Sequence, residues 1–256
     1  MTGQTARFSD RGTLARIAAM LKRVAIVQSS YIPWKGFFDL IRAVDEFILL
    51  DDVQFTKRDW RSRNRIKTKD GLAWLTIPVH IKGKSAQLIQ DTQISDPGWA
   101  ARHWQTIQRA YARAPFFRQY AGVIEPLYAR PVSDRLSAVN HSFIAAIAQA
   151  LGIPTPLTWS SDYHPCQGRN ERLIDICVKA GATEYLSGPS ARVYLDEAAF
   201  AKAGVTVRFA EYGGYPEYPQ LHPPFEHAVA ALDLLFCTGP RATEYMTNVC
   251  PAPSPA

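Results

Sequence analysis

Long apolar runs are missing from this chain of 256 residues. None approaches the ~18 residues that a membrane-crossing helix requires, so no membrane span is expected. Cysteine is also scarce. Cys166, Cys177, Cys237 and Cys250 form no C-x-x-C pair and no framework-like spacing, which argues against a disulfide scaffold. With no signal-peptide pattern, the expectation is reduced thiols in a cytoplasmic protein. The Gly-Lys-Ser at 83–85 lacks the leading glycine of a phosphate loop, because Pro78 stands where G-x-x-x-x-G-K-S needs Gly. No repeat of solenoid period occurs. Acidic residues are few in the first twenty, where Arg7, Arg11 and Arg16 stand and the apolar patch near Leu14 is too short and too basic for a signal segment. Residues 1–22 are therefore read as a flexible leader, with Met20 as an alternative start. The Pro/Ala-rich end, 240–256, reads as a disordered tail. One domain is expected between them, over 23–239.

What is present fits a folded protein with an anionic partner. The net charge is +6 and the pI about 9.2, which favours nucleotides, phosphorylated sugars, nucleic acid or a membrane surface. The charge is local: seven of the thirteen residues from Lys57 to Lys69 are Lys or Arg, and one is acidic.

The order of elements is most readable at the start. Val24 to Val27 is a short apolar run, followed by a polar, proline-containing loop from Gln28 to Pro33. Phe37, Leu40, Ile41 and Val44 then recur at helical spacing, and a second apolar run, Phe47 to Leu50, stops at Asp51-Asp52. This is a β-α-β unit with parallel, buried strands. A strand is predicted at Trp74–Val79. Residues 97–151 read as a mainly helical insertion, with stripes at Trp104, Ile107 and Tyr111, at Tyr120, Ile124 and Leu127, and at Leu136, Val139, Phe143 and Ile147. The α/β pattern then resumes, with strands at 157–159, 184–186 and 205–209 and a last helix at Phe225–Phe236. The expected fold class is α/β: a Rossmann-like parallel sheet with a mainly helical insertion.

In such a sheet the strand ends Gln28-Ser29-Ser30, Asp51-Asp52, Ser160–Asp162 and Ser187–Ser190 share the carboxyl edge, outside which open α/β sheets bind ligands. Asp51 and Asp52 are the candidate catalytic pair, able to orient an ammonium or hydroxyl, act as a base or hold Mg²⁺. The competing reading has Asp51 capping a turn and Asp52 solvated. Arg61 to Lys69 alternates basic with non-basic residues, so on a strand all five basic groups would line one face suited to phosphate or polyanion. On a helix they would scatter. Ser187 and Gly188 can offer donors to an anion or form a plain turn. Tyr31, Pro33 and Trp34 can wall a pocket beside the crevice or pack in the core around the first helix. His164 to Gly168 is read as a turn, although Cys166 near a helix start could be a nucleophile. No residue set is predicted to bind a resident metal.

The segments Gln28–Phe38, Leu50–Phe55 and Trp60–Lys67, with Tyr185–Gly188, Tyr194–Asp196, Tyr218–Gln220 and Leu232–Phe236, resemble the WbqC-like family over most of 23–239. The resemblance implies a place in bacterial surface-polysaccharide (O-antigen) biosynthesis. It also implies transfer of an aminoacyl (glycyl) group onto an amino sugar. The expectation built on it and on the residues is transfer of an aminoacyl or other acyl group onto a nucleotide-linked amino sugar, and the basic segment with Trp60 could serve an aminoacyl-tRNA donor. On that reading Asp51 or Asp52 handles the acceptor amine, Arg63, Arg65 and Lys67 hold phosphates, and Gln54 and Asn64 hydrogen-bond substrate. The family pattern has Asn where Ser62 stands and Gln-Pro where Gln28-Ser29 stands, departures that bear on substrate preference. The opening unit also resembles nucleotidylyl transferases with an H-x-G-H motif, but Trp34-Lys35-Gly36-Phe37 has neither histidine. Two alternatives accompany the transferase reading: a nucleotidylyl transferase or adenylate-forming ligase, and a non-catalytic RNA-binding module.

Overall fold

The computed structural model of the chain describes residues 21–84 and 86–246. The leader, the Met20 start, Cys250 and the last part of the tail lie outside the described residues, except for residues 21, 22 and 240–246.

The opening unit forms as its pattern predicts. Strand β1 (Arg23–Val27), helix α1 (Lys35–Arg42) and strand β2 (Glu46–Leu49) follow one another, and β1 pairs with β2 in parallel, Val24 opposite Glu46 and Val27 opposite Leu49. Three later strands join the sheet: β5 (Leu157–Trp159), β6 (Glu184–Ser187) and β7 (Thr206–Phe209). The sheet order is β5-β2-β1-β6-β7, and each neighbouring pair is parallel. Counted along the chain, the order runs third, second, first, fourth, fifth. It reverses beside β1, the arrangement of a doubly wound sheet with its switch point between β1 and β6.

Because strand side chains alternate, the sheet feeds two cores. Ala25, Phe47 and Leu49 face α1 and the helical insertion. Val24, Ile26 and Ile48 face helices α5 (Asn170–Lys179) and α6 (Glu197–Lys202), through Leu173, Ile176 and Phe200. Both faces are therefore covered, which is why the strands read as unbroken apolar runs.

The insertion consists of α2 (Trp99–Tyr111), α3 (Phe117–Ala129) and α4 (Leu136–Ala150). The predicted stripes are its buried faces: Ile107, Tyr111, Ile124, Leu136, Phe143 and Ile147 are all enclosed. Gly152, at φ +69°, ends α4, and the Gly152 and Ile153 amides turn back to Gln149 and Ala148.

Three expectations need correction. The strand predicted at Trp74–Val79 is β4 (Gly71–Thr76), and it stands outside the parallel sheet. It pairs antiparallel with β3 (Arg63–Thr68), forming a separate hairpin. The last helix, α7, spans Ala231–Thr238 and starts later than Phe225, because residues 225–230 run alongside other segments: the Ala230 amide donates to Arg65 O and the Ala231 amide to Pro33 O. Order also continues past 239. Gly239–Tyr245 forms a 3-10 helix that buries Ala242, and Met246 beyond it is buried too.

Two buried charges fasten the Tyr- and Pro-rich segment before α7. Asp233, fully enclosed, accepts from Tyr111 Oη at 2.8 Å, Tyr218 Oη at 2.8 Å and Gln220 Nε2 at 2.9 Å, so one carboxylate joins the insertion, this segment and α7. Lys35, on α1, is 2% exposed; its ammonium lies 4.8 Å from the Tyr215 ring centroid and 5.1 Å from that of Tyr218, and donates to Pro216 O at 3.3 Å. Burial pushes Lys35 down from 10.5 to about 8, against the pull of Asp39 and Asp233. A base with a lower pKa folded than unfolded binds fewer protons when folded. The stability it withholds returns as pH rises from the folded value to the unfolded one, and is absent below the folded value. The wild-type chain should therefore gain stability relative to Lys35→Met between pH about 8 and 10.5. Urea melts of both proteins across that window check this; a constant difference would contradict it.

Candidate functional site

The parallel strands discharge their loops at one edge, and the main cavity lies there. It measures about 770 Å³ and is bounded by the ends of β1 (Val27, Gln28), β2 (Leu50, Asp52) and β6 (Ser187, Gly188), and by the first turn of α5. This is the switch point, where strands neighbouring β1 send their connections to opposite faces and leave a crevice.

The two adjacent aspartates separate into different roles, because successive residues leaving a strand point opposite ways. Asp52 lines the cavity. Its carboxylate accepts from Ser160 Oγ at 2.5 Å and Arg172 Nη1 at 2.9 Å, and Arg172 Nη1 also reaches the Asp52 carbonyl at 2.9 Å. The other end of the guanidinium donates to Gln167 Oε1 at 3.0 Å. Asp51 turns inward and is 1% exposed. It accepts from the Ser29 amide at 2.8 Å and from Ser137 Oγ on α4, and burial raises its pKa above the ordinary carboxylate value while these donors and Arg61 oppose the rise. Asp51 lines neither this cavity nor its neighbour. It organises the first loop, where Asn140 Nδ2 holds Ser29 Oγ at 3.0 Å.

A second chamber of about 480 Å³ adjoins the first and shares Trp34, Gly188, Ser190 and Tyr212 with it. Trp34 is the partition. Its ring packs edge-on to Tyr212, with centroids 5.3 Å apart. It folds back over the start of α1 because residue 36 is glycine: a Cβ there would lie 2.3 Å from Trp34 Cζ2.

The other predicted site residues divide. Gln28, Trp34, Gln54, Ser187 and Gly188 line the main cavity with Asp52. Asn64 borders the second chamber, and its Nδ2 donates to the carbonyls of Tyr31 at 3.1 Å and Ile32 at 2.9 Å. Those bonds hold Ile32 at φ +35°, a conformation that a β-branched residue rarely adopts. Tyr31 is not a pocket wall. It is fully buried, with Oη 2.9 Å from His103 Nδ1 and 2.7 Å from Tyr128 Oη, in the core beside the insertion. Burial lowers His103 to about 4, so that ring is neutral at neutral pH.

Within the basic segment Arg63–Thr68 is a strand, the first of the two readings, but the five cations do not form one exposed face. Arg61 turns inward to Ser30 and Asp59, and Lys67 is buried with Nζ 2.5 Å from Pro224 O. Arg63 and Arg65 lie on the outer face of the hairpin and line neither chamber. The cations of the main cavity are Arg169 and Arg172, which sequence reasoning missed. Arg169 lies 3.6 Å over the Tyr194 ring. The available signal was a Gly-Arg-Asn-Glu-Arg helix start after a strand of the same edge. Cys166, weighed there as a nucleophile, is exposed and outside the lining, and its amide caps toward Asp175 at 2.8 Å, as a turn would.

Among the described residues no three His, Cys, Asp or Glu side chains gather as a metal site. Mg²⁺ is held by one or two carboxylates plus substrate phosphates. The main cavity offers the Asp52 carboxylate, already committed to Arg172, a donor set that fits Mg²⁺ poorly.

The two aspartates should respond differently to truncation. Asp51→Ala leaves the Ser29 amide and Ser137 hydroxyl unpaired in the core and should cost about 2–3 kcal/mol. Asp52→Ala unpairs Arg172 and Ser160 at the wall of the cavity, where entering water can solvate the freed guanidinium, and should cost less, about 1–2 kcal/mol. Thermal melts of the two variants decide this, and equal losses would contradict the division of roles.

No solved structure matches the chain. A Mycobacterium tuberculosis protein named "Uncharacterized protein Rv1507c" is 49% identical over 226 residues, covering 88% of this chain and 98% of the relative. The WbqC-like protein family matches residues 28–245, a span that contains the hairpin, the insertion and all of the chamber walls except Ile26 and Val27. The chain belongs to the WbqC-like protein family.

Proposed function

We propose that the chain is a transferase that moves an aminoacyl (glycyl) or other acyl group onto a nucleotide-linked amino sugar during assembly of a surface polysaccharide. Family membership is consistent with a biosynthetic enzyme. The observation that carries the finer reading is the main cavity itself: about 770 Å³ at the switch point, with two arginines, a carboxylate and an aromatic partition on its walls. That volume suits a nucleotide sugar. Arg169, Arg172 and the first turn of α5 supply the donors and positive field that a diphosphate needs. Gln28, Gln54 and Ser187 supply neutral hydrogen-bonding groups for hydroxyls.

In this reading Asp52 receives the acceptor amine. Ser160 and Arg172 occupy one lone-pair site on each carboxylate oxygen, and each oxygen retains another. The amine nitrogen attacks the acyl carbon, the N–C bond forms and the donor's bond to the acyl carbon breaks. The proton released from nitrogen passes by way of Asp52 to the leaving group. The second chamber, beyond Trp34, is placed to accept the donor's acyl end. Asp51 acts through the loop it holds and touches no substrate.

A thermal-shift panel of nucleotide sugars, followed by mass spectrometry of amino-sugar nucleotides incubated with activated acyl donors, tests this reading. A nucleotide-linked amino sugar should raise Tm and gain one acyl mass. Arg172→Gln should weaken binding about tenfold or more, the ~1.4 kcal/mol expected for one charge-assisted hydrogen bond. Asp52→Asn should lower turnover more than affinity. Failure of every nucleotide sugar to bind, or an Arg172→Gln protein that binds unchanged, would overturn it.

A further inference from the structure

Arg63, Arg65 and Trp74 on the outer face of the β3–β4 hairpin line neither chamber, while Asn64 and the neighbouring Trp60 border the second. The hairpin's inner face, with Asn64, Ile66 and Leu75, is buried. Arg65 stands directly opposite Trp74 in register, and by strand alternation Arg63 and Leu72 share their outer face. Trp74 is 46% exposed and the neighbouring Trp60 43% exposed. The two indoles lie 5.6 Å apart, with 30° between their planes. The Arg63 guanidinium sits 4.3 Å from the Trp74 centroid, and that of Arg65 lies 5.6 Å from Trp74 and 5.9 Å from Trp60.

Two features point to a missing ligand. Large rings left in water on one patch mark an interaction surface more often than isolated exposed side chains do. The cations beside them also lack an anion. Arg23, Arg172 and Arg208 each hold a carboxylate, whereas neither Arg63 nor Arg65 does so among the described residues. Arg65 Nε is buried with no acceptor. Exposed Lys57, Arg58 and Lys69 extend the positive field around the patch.

Flat aromatic surfaces flanked by unpaired guanidinium groups match a polymer with flat rings and regularly spaced negative charge. A duplex hides its base faces within the stack, so it offers the rings nothing to stack on. We propose that the outer face of the hairpin binds single-stranded nucleic acid, with bases stacking on Trp74 and Trp60 and phosphates held by Arg63 and Arg65. This inference does not rest on the transferase reading, and a nucleic acid seated there would leave the main cavity free.

The test is fluorescence anisotropy with a labelled single-stranded RNA of about 12 nucleotides and the same strand in a duplex, at about 50 and about 200 mM salt. The wild-type protein should bind the single strand more tightly than the duplex and lose affinity with salt. Trp74→Ala should weaken binding about tenfold with only a small fall in Tm, since the ring is half-exposed and outside the core. An Arg63→Gln/Arg65→Gln protein should show a slope of log K against log salt shallower by about 1.4, at about 0.7 for each phosphate no longer neutralised. No binding at low salt would overturn the proposal. Equal affinity for duplex, indifference to Trp74→Ala, or equal competition by a sulfated polysaccharide would do the same. A nucleotide-sugar thermal shift that survives Trp74→Ala keeps this outcome separate from that of the transferase reading.

Discussion

Parallel pairing of β1 with β2 and with β6 is the constraint on which the rest of the structure depends. Parallel strands cannot be joined by tight turns, so each connection leaves the same edge and crosses a face of the sheet. The loops after β1, β2 and β6 therefore meet, and the reversal of order beside β1 opens the crevice between them. Cavity, carboxylate and arginines follow from that topology. The insertion packs against the sheet core through α4 and closes the side on which Asp51 turns in.

Two enclosed carboxylates hold these parts in place, and each is satisfied by donors from distant segments. Asp51 ties the end of β2 to the first loop and to α4; Asp233 ties α7 to α2 and to the Tyr-rich segment. A buried carboxylate is tolerated only when hydrogen-bonded, so both positions require several segments to be in register at once. The rigid frame leaves Asp52, Trp34 and Arg172 at the cavity surface on well-fixed supports, the condition for a precise binding site. Gly36 belongs to the same frame, since any side chain there would evict the Trp34 ring that divides the chambers.

Much of this could be read from residue order. Apolar runs separated by a helical stripe define the β-α-β unit, and the stripes of 97–151 define the insertion, because burial imposes those periods directly. The edge rule then points to Gln28, Asp52, Ser187 and Gly188 at the cavity. The difference between Asp51 and Asp52 could not be read, since Ser137, the partner that draws Asp51 inward, lies 86 residues away. Lys67 likewise leaves the basic face for a carbonyl 157 residues distant, and Tyr31 leaves the pocket for His103 and Tyr128. Arg169 and Arg172 carry a weaker signal, a Gly-Arg-Asn-Glu-Arg helix start after a strand of that edge, which does not by itself say that this start faces the crevice. Long-range partners, invisible to periodicity, decided each of these cases.

The central claim is that the switch-point cavity is where substrate binds. Hydrogen–deuterium exchange with and without a saturating nucleotide-linked amino sugar tests it most directly. The account predicts slowed exchange in the segments around Gln28 to Trp34, Arg169 to Leu173 and Ser187 to Tyr194, which wall that cavity, with the β3–β4 hairpin unchanged. Slowed exchange confined to the hairpin, with the cavity walls unaffected, would contradict it.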